Sequence, residues 1–139
     1  FQPDVIVLQH GVDGHYRDEI ARLQYSPAAY AEVDRIVLSL SQELTHGRLL
    51  VTGGGGYRAE SVGRVLARTG LILTSLDVPE DSAVLPQEWR KEFHSTFGRM
   101  APATWGDAVE LEPSPWVPDD ESKLVRVLES QLGERFPAP

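Results

Sequence analysis

Leu49-Leu50-Val51-Thr52 runs straight into Gly53-Gly54-Gly55-Gly56-Tyr57. A short aliphatic run bounded by turn residues reads as a strand. Glycine loses more backbone freedom on folding than any other residue, so four in a row need a reason. Either the dihedrals are closed to other residues, or the backbone must come close to something. Tyr57 is released at the carboxyl end of that strand, the edge where open α/β sheets bind ligands.

The flanking chain completes the unit. Val5-Ile6-Val7-Leu8 is four consecutive aliphatics, the pattern of a parallel strand buried on both faces. Ser26-Pro27 opens a helix, with serine as the cap and proline in the first turn. Tyr30, Val33, Ile36, Val37, Leu40 and Leu44 recur at spacings of three and four and are expected to face inward. The helix is expected from Pro27 to His46, with Gly47 just beyond its end. Arg48–Thr52 then forms the second strand, giving a βαβ unit with parallel strands. Ala59–Leu73 reads as a helix with Val62, Val65, Leu66 and Leu73 inward. Pro86–Phe97 reads as another, with Trp89, Phe93 and Phe97 in the core. Ala101–Pro118 is proline-rich and reads as irregular. A last helix capped by Asp119 or Asp120 is expected to place Leu124, Val127, Leu128 and Leu132 inward. The fold class is therefore α/β, a parallel sheet flanked by helices, in a single domain over residues 1–139.

Charge and composition narrow the function. A formal net charge of −8 argues against broad nucleic-acid binding, which needs a basic face. It leaves open a peptide partner with basic residues. There is no cysteine, so any metal must be held by His, Asp or Glu. No apolar run approaches the roughly 20 residues needed to span a bilayer, so no membrane partner is expected. The chain opens on Phe1-Gln2-Pro3-Asp4 and enters a strand almost at once, and it is read as part of a longer protein.

The chemistry-bearing residues lie in two loops. One is His10–Asp18, after the first strand; the other is Gly53–Tyr57, after the second. Both leave the carboxyl ends of adjacent parallel strands and converge on one sheet edge. Asp13 lies near the strand end, where a carboxylate can bind a divalent metal. Tyr57 can donate a hydrogen bond to a developing oxyanion. Bland readings compete. Asp13 can be a turn former, Tyr57 a packing residue, and His10 and His15 are expected as solvated loop residues. The glycines could instead cradle a phosphate, although they lack the Lys-Ser/Thr ending of a P-loop and do not fit the dinucleotide fingerprint. A non-catalytic interaction domain is a third reading.

The motifs Pro3-Asp4-Val5-Ile6-Val7-Leu8-Gln9-His10-Gly11-Val12-Asp13, then Asp18, then Gly53-Gly54-Gly55-Gly56-Tyr57 resemble the C-terminal part of the zinc-dependent histone deacetylase superfamily. They look most like its bacterial acetoin utilization (AcuC-type) and class I members. The likeness is specific over about residues 1–75; residues 76–139 are read as peripheral helices and a C-terminal tail. It implies the arginase/deacetylase α/β fold, a parallel sheet between helical layers. It also implies roles: Asp13 as a zinc ligand and Tyr57 as the catalytic residue that polarises the acetyl carbonyl. Gly55 and Gly56 would line the channel for the acetyl-lysine stem, with Ile20 on its rim. Glu19 stands where some eukaryotic members carry an inositol-phosphate-binding arginine, so that regulation is not expected. The implied reaction is removal of an acetyl group from acetyl-lysine or a small acetylated amine, with zinc as cofactor and a cytoplasmic location. The family's Asp-x-His ligands and His-His pair are not in this chain. The isolated chain is therefore expected to be inactive, to bind zinc more weakly than micromolar, and to self-associate through raw strand edges. Zinc titration calorimetry and light scattering check these expectations. Micromolar zinc binding, or a clean monomer at high concentration, would contradict them.

Overall fold

The computed structural model describes residues 2–21, 23–107 and 130. The chain divides into two units, Pro3–Glu110 and a second comprising Phe1–Gln2 with Leu111–Pro139. Every element below belongs to the first. In order these are β1 (Ile6–His10), α1 (Pro27–Thr45), β2 (Leu49–Gly53), α2 (Ala59–Leu73) and α3 (Gln87–Phe97). The expected last helix, with Asp119, Asp120, Leu124, Val127, Leu128 and Leu132, lies outside the described residues.

The strands pair in parallel, from Ile6 opposite Leu49 to His10 opposite Gly53. That register sets the two loops side by side at the sheet's carboxyl edge. The connecting helix is capped as its sequence requires. Ala29 N–H donates to Ser26 Oγ at 3.1 Å, and Pro27 occupies the first turn, where its missing donor costs nothing. Thr45, one residue short of the expected end, is the last helical residue. His46 and Gly47 then take left-handed conformations, φ 54° and 79°, that stop the helix. Part of the segment expected to be irregular is ordered by pairing. Leu85 N–H donates to Ala103 O at 2.9 Å, and Trp105 N–H to Ala83 O at 3.0 Å.

Burial departs from the sequence expectation. On α1 the apolar stripe faces out: Ile36 is 50% exposed and Leu44 47%, and Val33 and Leu40 are also exposed. The buried stripe is Pro27, Tyr30, Ala31, Asp34, Ser41 and Thr45. This side packs on α2, where Thr69 meets Asp34 and Val65 joins Tyr30 in a buried cluster, and α2 also buries Glu60, Ser61, Arg64, Arg68 and Ile72. Two stripes on one helix satisfy the same periodicity, and only the neighbouring element decides which is covered. The strands are covered on one face rather than two, with Val5, Val7 and Leu50 exposed. Among the described residues the sheet has two strands. On α2, Ile72 is buried and Leu66 exposed, the reverse of what spacing suggested for Leu66. On α3, Phe93 is buried but Phe97 is 50% exposed and does not belong to the core.

Truncations should follow this inverted burial. Ile72→Ala is expected to cost about 2–4 kcal/mol, the range for truncating a buried aliphatic. Leu40→Ser should stay within about 0.5 kcal/mol, as exposed substitutions do. Urea unfolding of both variants is the measurement.

Candidate active-site edge

The glycine loop lies directly on the first loop. Val12 N–H donates to Gly55 O at 2.6 Å. A Cβ on Gly54 would fall 2.8 Å from Gly11 Cα, and one on Gly55 would run into the Asp13 carboxylate. Gly56 has φ 144°, and its Cβ would lie 2.7 Å from Val62 Cγ2. Close approach thus requires Gly54 and Gly55, and a left-handed-side dihedral requires Gly56. Asp13, predicted as a metal ligand, is half-buried against Gly55. Gly55 and Asp13 are therefore neighbours, as both loops converging on one edge required.

Asp18 joins the loops, a role that sequence reasoning did not assign. It is 4% exposed. Its Oδ2 accepts Tyr57 N–H at 2.9 Å. Its Oδ1 accepts Ile20 N–H at 2.9 Å and Ala21 N–H at 3.4 Å. Burial alone would raise its pKa, but the N–H donors outweigh burial and hold it below the usual carboxylate value of 3.8. Through this one side chain, Tyr57 and the Ile20 loop are tied together. Both the Tyr57 and Ile20 side chains face solvent, at 56% and 65% exposed.

His10 and His15 are not solvated. His10 ends β1 and is buried. Its Nε2 lies 2.7 Å from Asp34 Oδ1 on α1. Thr69 of α2 donates to Asp34 Oδ2 at 2.7 Å, and Tyr30 stacks on the imidazole at 5.6 Å between centroids. The hydrogen bond to Asp34 raises the His10 pKa above 6.5, against the opposing effect of burial. His15 has no exposed surface. Its Nδ1 accepts Arg17 N–H at 3.2 Å, so the proton sits on Nε2, which donates to Asp107 Oδ2 at 2.9 Å. Ser61 Oγ is 3.2 Å from the same Nδ1. Arg64, also buried, donates to Asp107 Oδ1 at 2.9 Å and to the carbonyls of Glu60, Trp105 and Gly106. Burial would raise the Asp107 pKa, but His15 and Arg64 hold it well below the usual carboxylate range. Burial, reinforced by the negative charge of Asp13, pushes the Tyr30 phenol up to about 12. A histidine followed by glycine two residues before an aspartate carried no signal of burial; the partners Asp34 and Asp107 are 24 and 92 residues away.

The histone deacetylase domain matches residues 1–72. The chain belongs to this family. Acetoin utilization protein AcuC of Bacillus subtilis is 32% identical over 114 residues, covering 81% of this chain and 29% of the relative. AcuC of Staphylococcus xylosus is 33% identical over 111 residues, covering 79% and 28%. The chain thus spans under a third of the length of the curated relatives it matches. The solved structure of the histone deacetylase Clr3 aligns over 97% of this chain and 23% of that one, with 21% identity and a TM-score of 0.48. The parallel β1–β2 pair and its crossover helix form an α/β unit. Among the described residues, no group of three His, Cys, Asp or Glu side chains could hold a metal ion. Asp13 alone is not a zinc site.

Stability should respond to pH at both ends. Asp18 binds its proton more weakly in the folded chain, so its contribution is complete above about pH 4 and is lost as pH falls through the lower folded value. His10 binds its proton more tightly, so its contribution is complete below pH 6.5 and is lost as pH rises through the higher folded value. Asp18→Asn is expected to cost about 1.5–3 kcal/mol, the range for hydrogen bonds to charged groups, and to make the acid limb of a urea-midpoint profile shallower, Asp107 supplying the rest, while leaving the alkaline limb.

Proposed function

We propose that this chain carries one side of the active site of a zinc-dependent deacetylase. The substrate is an acetylated lysine peptide or a small acetylated amine, and the bond cleaved is the amide. The observation that carries this reading is the placement of Tyr57. It follows the glycine run at the sheet edge, its main chain is pinned by Asp18, and its side chain is exposed. A phenol held on a fixed backbone can donate to the oxyanion formed as the amide is attacked. Asp13 offers one carboxylate on the same edge. Its remaining metal partners must come from parts of the deacetylase domain that this chain does not span. Gly55 and Gly56, where a Cβ would meet Asp13 or Val62, are read as a channel wall without side chains, and the exposed Ile20 as its rim.

The phosphate-cradle reading is weaker on a specific ground. A cradle needs free N–H groups where the loop enters the helix. Here the N–H of Tyr57, where the glycine loop ends, is taken by the Asp18 carboxylate.

The test uses a longer protein containing this chain and the rest of the deacetylase domain. Tyr57→Phe is expected to retain the zinc content of the parent while losing about 100-fold or more in turnover of an acetyl-lysine peptide. Turnover near that of the parent would overturn the assignment of Tyr57.

A further inference from the structure

An open groove of about 480 Å³ begins at Gly56 and Tyr57 and runs between α2 and α3. Its far wall is the aromatic row of α3. Trp89 and Phe93 have centroids 5.3 Å apart, and Phe93 and Phe97 4.7 Å. Phe93 is buried and anchors the row, while Phe97 stays half-exposed at the open side. Two glycines keep the floor bare. A Cβ on Gly63 would sit 3.2 Å from the Trp89 ring, and one on Gly56 would strike Val62. The nearest cations do not give the groove a charge. Arg58 Nε and Arg99 Nη2 lie 2.7 and 3.1 Å from the two oxygens of the same Glu60 carboxylate, and Arg58 Nη1 lies 3.9 Å from Glu19 Oε1, so two cations meet two carboxylates. The groove is thus apolar, aromatic, neutral at its rim and continuous with the tyrosine that the deacetylase reading puts in contact with substrate.

We propose that this groove is a specificity subsite that takes the apolar side chain, aromatic or large aliphatic, of a residue flanking the acetylated lysine in a peptide substrate. Its size falls within the range of small-ligand sites, about 300–1,000 Å³. It is too small for a second copy of the chain, because it is lined by eight residues and a stable interface needs roughly 20–30 a side. The proposal rests on the deacetylase reading for the acetyl-lysine, but the groove lies wholly within Pro3–Glu110 and is testable on this chain alone.

The experiment titrates the ¹⁵N-labelled chain with short peptides in which Phe, Ala or Asp follows the lysine, each acetylated and unacetylated. The Phe peptides are expected to bind about tenfold tighter than the Ala peptides, the effect of burying one large apolar side chain, and to shift the Trp89 indole resonance. Phe97→Ser, an exposed position that should not disturb folding, should abolish the difference. A Phe preference in both acetylation states supports the groove and counts against acetyl-lysine recognition by this chain. An acetyl preference with no dependence on the flanking residue overturns the groove and leaves the deacetylase reading intact. Absence of binding by all peptides, or a Phe preference that survives Phe97→Ser, also overturns the groove.

Discussion

The buried carboxylate of Asp18 is the contact on which the functional edge depends. A carboxylate removed from water needs hydrogen-bond donors, and it takes three main-chain N–H groups from two loops that sequence separates by nearly forty residues. Because it is ionised, those bonds are stronger than ordinary amide bonds. One holds the first residue after the glycine run. Without it, four glycines would leave Tyr57 on the most flexible stretch of the chain. With it, the tyrosine backbone is fixed while its side chain stays in solvent.

The same logic extends inward. The ground around α1 and α2 is not an oil-like seam but is built largely on paired polar groups, with His10 Nδ1 and the Tyr30 hydroxyl buried without a hydrogen-bond partner. Asp34 meets His10 and Thr69; Asp107 meets His15 and Arg64. Removing one partner of such an ion pair leaves the other charge unpaired in the low-dielectric interior. In exchange such pairs are specific. A leucine seam tolerates sliding, whereas a carboxylate with a fixed imidazole at 2.7 Å does not. His10 ends the strand that launches the Asp13 loop, and His15 sits within that loop. The polar core therefore sets the position of the edge residues.

The Ser61, His15 and Asp107 chain has the order of a hydrolytic triad, yet it cannot act as one. Ser61 and His15 are buried, at 1% and 0% exposed, and the nitrogen facing Ser61 is already occupied by Arg17 N–H. A nucleophile needs a free base and access to substrate. The arrangement instead ties the first loop to α2 and to residues 105–107.

By itself the sequence determined the βαβ order, the parallel pairing, the Ser26-Pro27 helix start, the turn at His46-Gly47 and the convergence of two loops at one sheet edge. These are local matters: periodicity, capping and glycine chemistry act within a few residues. The motifs on those loops also carried the family. Tertiary structure alone decided which stripe of α1 is covered, that Val5, Val7, Leu50 and Phe97 stay exposed, and that His10, His15 and Asp18 are buried. The reason is that burial depends on partners far along the chain. Asp34, Asp107 and Tyr57 give no sign in sequence of which side chain or amide they will meet, and a polar residue reads as solvated until its partner is in place.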